Sequence, residues 1–255
     1  MPTPFYHLNV AEDLLRQPGL SPATCNFLQS NYSAFLLGNT APDVQTVSGQ
    51  DRQATHFFNL PIQPWAQPAW ERLLSLYPFL AQPARLPTPQ AAFLAGYLCH
   101  LQADWLWVVE IYSPVFGPTV AWQTFSHRLY LHNVLRAYLD LQILAHLPAN
   151  IGMGLERAYP QRWLPFVEDR YLCQWRDSLG RQLRPGSAVQ TVEVFAARQG
   201  ISPDTFYSLL GSEERLEREI FTHLPRQTLQ AYRQRLFAEN VRLLDGYLSN
   251  LVGAS

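Results

Sequence analysis

The run 91–109 has the length to cross a bilayer, yet it carries His100, Gln102 and Asp104 and has no basic anchors at its ends. A helix buried in protein accommodates it better. Within it, "GYLCHLQADWLW" (96–107) spaces a histidine and an aspartate four residues apart, so both side chains leave one face of a helix. Burying an unpaired charge costs several kcal/mol or forces neutralisation, so the pair calls for a common partner.

The rest of the chain reads the same way. Apolar residues recur at intervals of three and four, strictly alternating β-branched runs are scarce, and Gly and Pro punctuate the pattern. The expected fold class is all-α, a multi-helix bundle, with helices over roughly 5–17, 22–37, 70–80, 90–112, 119–147, 165–180, 187–199, 203–210, 212–222 and 226–251. Ser202 before Pro203 reads as an N-cap with proline in the first turn, and Ser212 precedes the acidic pair Glu213 and Glu214. Leu229, Tyr232, Leu236, Leu243, Tyr247 and Leu251 form a stripe that should pack along the body. Seven prolines from Leu60 through Pro89 resist regular structure, apart from one short helix around 71–80. The stretch 180–189, "GRQLRPGSAV", is the best boundary. It divides a metal-binding helical core, 1–182, from a C-terminal helical extension, 183–255, packed on it.

Composition excludes several classes. Nineteen basic against twenty acidic residues give a formal charge of −1, and no Lys/Arg cluster is interleaved with aromatics, which argues against a nucleic-acid partner. Cys25, Cys99 and Cys173 form no CxxC and lie far apart, which suits a reducing compartment. "MPTPFYHLNVAEDLL" lacks the layout of a secretory signal, and no transmembrane segment is expected. The expected location is cytoplasmic.

Five segments each offer a metal-compatible side chain: His7, Asp43, His56, the pair His100 and Asp104, and His132. Imidazoles and carboxylates in comparable number suit zinc or another borderline divalent ion. His127 lies five residues before His132, about 140° around a helix by the usual geometry, and does not share its face. His146 and His223, near helix ends, read as structural.

The ordered series His7, "LGNTAPD" (37–43), Thr55-His56-Phe57 and "GYLCHLQAD" (96–104) resembles the zinc-dependent phospholipase C family, an all-helical fold related to single-strand nucleases of the S1/P1 type. The resemblance runs through about residue 140. It implies that Asp43, His56, His100 and Asp104 hold one metal, that Asp104 bridges to a second ion which His7 helps to hold, and that Asp43 is the general base for an attacking water. On this reading a cation neutralises the buried carboxylate and takes the imidazole lone pair.

The chain departs from the family's pattern in three places. Glu110 stands where the family has a histidine six residues after the helix aspartate, and can still ligate. "HNVLR" keeps His132 but puts Arg136 where a carboxylate belongs, and a guanidinium cannot ligate. The family's secreted bacterial enzymes use a processed first residue as a ligand, whereas this chain begins "MPTPF". The expectation is therefore one or two divalent ions, zinc first, with iron or manganese as alternatives. Arg136 is expected to occupy the space of the missing ion and pair with Glu110 or a substrate anion, the alternative being a helix-surface pair with Asp140 one turn on.

The expected function is metal-dependent hydrolysis of a phosphoester, phospholipase C-like, on a small-molecule or lipid-like substrate. Two alternatives stand beside it: a mono- or dinuclear centre acting as a Lewis acid on an apolar oxygenated substrate without phosphate, and a non-catalytic, metal-stabilised binding protein.

Overall fold

Spacing of three and four becomes helix along most of the chain. In the computed structural model, which describes residues 1–120 and 124–252, the helices are α1 (Pro4–Arg16), α2 (Pro22–Ser30), α3 (Tyr32–Thr40), α4 (Gln45–Ser48), α5 (Arg52–His56), α6 (Ala69–Leu76), α7 (Thr88–Trp107), α8 (Phe125–Leu144), α9 (Ile151–Glu156), α10 (Asp169–Gln182), α11 (Thr191–Gln199), α12 (Pro203–Leu210), α13 (Glu213–Leu216) and α14 (Arg226–Val252). No strand occurs among the described residues beyond an isolated bridge between Pro18 and Leu20. The fold is all-α.

α7 is the axis. Every residue from Gln90 through Asp104 is buried, as expected of an apolar run that does not face lipid, and no described helix is long and apolar enough to cross a membrane. α3 lies against α7 with the backbones in near contact. A Cβ on Gly38 would fall 1.9 Å from the Phe93 carbonyl oxygen, and one on Gly96 would fall 2.3 Å from that of Phe35. Only glycine fits either place.

Several boundaries differ from the periodicity. The helix expected over 22–37 is two helices, broken at Asn31, whose side-chain amide donates to the Phe27 carbonyl and caps the end of α2. The helix expected over 90–112 continues past Trp107 as π-helical turns, Val108–Phe116, which contain Pro114. Of the segment expected over 119–147, residues 121–123 lie outside the described residues. α4, α5 and α9 were not expected; each is six residues or fewer, too short to carry a repeating apolar pattern.

The C-terminal helix packs along the body, with Tyr232, Leu236, Leu244 and Leu248 as its buried line and Leu243 and Tyr247 at the flanks. The Tyr232 hydroxyl donates to the Ala103 carbonyl on α7 at 3.0 Å. Ser202 and Ser212 cap α12 and α13 as the sequence predicts.

Candidate metal centre and adjoining pocket

Four elements deliver five side chains to one place. Thr3 caps α1 by accepting from the Tyr6 amide, and His7 follows one turn later. Asp43 sits in the 3-10 turn Ala41–Val44, which leaves the end of α3 where Gly38 has brought that helix against α7. His56 is the last residue of α5. The next residue, Phe57, adopts φ 62°, a left-handed conformation that is costly for a bulky side chain and turns the chain away at once. His100 and Asp104 project from α7.

His7, His56, His100 and Asp104 are at most 1% exposed, while Asp43 is 19% exposed. His7 Nε2 lies 3.4 Å from Asp104 Oδ1, and His56 Nε2 lies 3.4 Å from Asp104 Oδ2 and 3.5 Å from Asp43 Oδ1. His100 Nε2 lies 3.9 Å from Asp104 Oδ2. The His7 and His100 rings stack with centroids 3.7 Å apart. Two donor groups result, His7–His100–Asp104 and Asp43–His56–His100, each with ligand atoms within 4.8 Å of one another.

The outward nitrogens are set by what lies behind them. His100 Nδ1 is 2.8 Å from the Asn39 carbonyl oxygen, which can only accept, so the proton is on Nδ1 and the Nε2 lone pair faces the cluster. Thr55 Oγ1 lies within hydrogen-bonding distance of two acceptors, the Gln45 side-chain oxygen and the Arg52 carbonyl, so its own proton is engaged and it accepts from His56 Nδ1 at 3.0 Å. His56 Nε2 is therefore also a lone pair.

Electrostatics keep these groups in a ligating state. Burial, then the positive Arg52, lowers the His56 pKa; burial, then His7, lowers that of His100 to about 3. Burial works to raise Asp104 and Asp43, but the imidazoles that face them, His7 beside Asp104 and His56 beside Asp43, and at Asp104 also the positive Arg52, outweigh it, and both carboxyls are held below their usual range. Neutral imidazoles beside ionised carboxylates are what a divalent cation needs.

His7 Nε2, His56 Nε2, His100 Nε2 and Asp104 Oδ1 are all buried without a hydrogen-bond partner. Each such atom costs about 1–3 kcal/mol when left unsatisfied. Four converging in one cluster fit a bound cation, and the mixed N/O donor set fits zinc or a similar ion.

The sequence-level candidates separate here. His7, Asp43, His56, His100 and Asp104 come together; Glu110 and His132 do not join either group. Glu110 pairs with Arg235 at 2.6 Å. His132 Nε2 accepts from the Trp107 indole at 3.0 Å, and its ring lies among Trp107, Tyr112 and Phe116. Its pKa is pushed well down by burial and then by the positive chain terminus and Arg136. Arg136 does not pair with Glu110. Its Nη1 donates to Asn133 Oδ1 at 3.0 Å and its guanidinium lies 4.3 Å over the Phe195 ring.

Arg52 escaped the sequence reading. Its Nη2 lies 2.5 Å from Asp104 Oδ2, and its guanidinium lies over Phe58. The spacing was legible, since Arg52 precedes His56 by four residues on a helix, but nothing local marks α5 as a helix.

Asp43 opens this cluster onto a cavity of about 420 Å³ whose lining includes Arg52, Arg136, Trp175, Phe195 and Arg198. Residues 6–150, more than half the chain, match the family described as zinc dependent phospholipase C, and the protein belongs to that family. Membership places it among metal-dependent phosphoester hydrolases. Neither the curated proteins nor the solved structures compared with it give a match. Trp175, Phe195 and Arg198 lie beyond the matched segment, so part of the cavity wall is built from sequence outside it.

Proposed function

We propose that this protein is a phosphoesterase of phospholipase C type, with one or two divalent ions, zinc first, held by Asp43, His56, His100 and Asp104 with His7 on the second group. The observation that carries the reading is the convergence of four unpartnered buried donor atoms beside a cavity. When bound, the ion would supply Lewis acidity toward the phosphoryl oxygens and activate water at neutral pH.

The chain's own residues do the remainder. Asp43, ionised and the most exposed of the five, accepts a hydrogen bond from the incoming water and orients it. Its depressed pKa, about 2, makes it a stronger orienting group than proton sink. Arg136 remains charged at neutral pH, because even with burial lowering it its pKa is about 10, and it faces the substrate anion as a fork of donors. Trp175 and Phe195 remove water from the cavity wall. A lipid-like phosphodiester suits a cavity that mixes apolar walls with arginines. The three cysteines are unpaired, in keeping with a reducing, cytoplasmic setting.

Elemental analysis of protein purified without added metal should find at least one divalent ion per chain, and chelation should lower the thermal midpoint by linkage. His100→Ala and Asp104→Asn should lower metal affinity at least about tenfold and abolish hydrolysis of bis(p-nitrophenyl) phosphate, whereas His223→Ala, at an exposed position, should change neither. Absence of bound metal together with no stabilisation by zinc, manganese or iron would reject the reading.

A further inference from the structure

The cavity wall carries more positive charge than the metal cluster uses. Arg52, Arg136 and Arg198 border it, and Asp43 is the one acidic residue in its described lining. Arg52 is matched by Asp104 at 2.5 Å. Neither Arg136 nor Arg198 has a carboxylate within ion-pair distance among the described residues, and the Arg136 Nε is buried with no partner.

Arg136 is also held in a fixed pose. Its guanidinium lies over Phe195 and donates to Asn133 Oδ1, and the Asn133 amide in turn donates to Gln199 Oε1 at 3.1 Å. α8 and α11 thus clamp the group between them. Arg198 follows Phe195 by three residues on α11, on the same face. Two cations on one wall repel each other, and a planar fork in a low-dielectric setting is matched best by a phosphate or carboxylate. A head group ending in a quaternary ammonium would put its cation against this wall. Of the aromatic side chains on this wall, Phe195 is already covered by Arg136 and is not free to cage such a cation.

We propose that the cavity takes a phosphoester carrying a second anionic group, with the scissile phosphate on the Asp43–Arg52 side and the second anion between Arg136 and Arg198. This rests on the phosphoesterase reading above and narrows its substrate class. The specificity wall is supplied largely by α11, which lies outside the segment that matches the family.

Calorimetric binding of propyl phosphate and of propane-1,3-diyl bisphosphate to the protein as purified tests the site without turnover. The bisphosphate should bind about tenfold more tightly, the worth of one added charge-assisted contact pair. Arg198→Gln, at an exposed position where folding is not at stake, should bring the two affinities within about threefold while leaving propyl phosphate binding unchanged. Arg136→Lys should also reduce the preference, because the ammonium keeps the charge and loses the fork. Arg242→Gln, which removes an exposed arginine paired with Glu239 on α14, should leave the ratio intact. Equal binding of both probes by the wild type, or an equal loss in Arg242→Gln and Arg198→Gln, would overturn the site. A bisphosphate preference without any phosphodiesterase activity would uphold the anion site and count against the hydrolase; activity without the preference would do the reverse.

Discussion

At the scale of single residues, the hydrogen bond behind a ligand matters as much as the ligand. The Asn39 carbonyl fixes the tautomer of His100, and Thr55 does the same for His56. Neither partner is adjacent to the cluster's motif on α7, which is why the HxxxD spacing pointed to the ligands and not to what orients them. Asp140 offers a test of the other buried carboxylate. It is 1% exposed and accepts hydrogen bonds from the hydroxyls of Thr3 and Thr191, both on the cavity wall. Burial raises its pKa from 3.8 to about 6, against the lowering effect of those hydrogen bonds and of Arg136. The folded state therefore holds this proton more tightly than the unfolded chain does. Its contribution is full below the unfolded pKa, and it is lost as pH rises toward 6. Urea unfolding of wild type and Asp140→Asn should show the wild type losing on the order of 3 kcal/mol relative to the variant between pH 4 and 7. A difference that stays flat over that range would show that Asp140 is already ionised at low pH.

At the scale of elements, one helix crossing positions the centre. α3 and α7 approach so closely that Gly38 and Gly96 face opposing backbone carbonyls, and this approach brings Asn39 and the turn bearing Asp43 to His100. Gly38→Ala or Gly96→Ala should each destabilise the protein by about 3 kcal/mol, because the clash is with backbone and cannot be relieved by a rotamer change. Gly246→Ala on α14 is the counterpart. Nothing lies within 4 Å of the added methyl, and removing glycine from a helix interior should stabilise by about 0.5–1 kcal/mol. Denaturant midpoints of the three variants decide the matter; equal shifts would mean that helix propensity and not the crossing governs. The long helices were legible because periodicity accumulates over several turns. The break at Asn31 and the short helices α4 and α5, which carry or flank the site, were not. A helix of four or five residues shows no period, and its ends are held by tertiary contacts.

At the scale of the whole molecule, the segment after the 180–189 stretch completes the structure. Tyr232, Leu236, Leu244 and Leu248 are at most 1% exposed. Burying four such side chains contributes on the order of 10 kcal/mol, comparable to the net stability of an ordinary domain. Arg233 bonds to Asn9 and Asp13 on α1, and Tyr130 donates to the Thr205 carbonyl. We therefore expect the two parts to fold as one cooperative unit. A chain ending at residue 182 should show no sharp thermal transition and should bind a hydrophobic dye, while the full chain melts cooperatively. A sharp transition in the short chain, near that of the full one, would establish 1–182 as an independent domain.

The sequence by itself determined the all-α class, the buried status of α7, and the pairing of His100 with Asp104 on one helix face. Each of these follows from local information, a period, a length, or an ionisable pair one turn apart in an apolar run that must be neutralised, whereas His7, Asp43 and His56 were singled out only by the resemblance to the family, which also proposed Glu110 and His132. Only the tertiary structure decided that Arg52 would lie against Asp104, that Trp107 would take His132 and Arg235 would take Glu110, and that α11 would set Phe195 and Arg198 beside Arg136. Those outcomes depend on which distant side chain the packed helices bring within hydrogen-bonding distance of a polar atom that loses its water. No spacing along the chain encodes that distance.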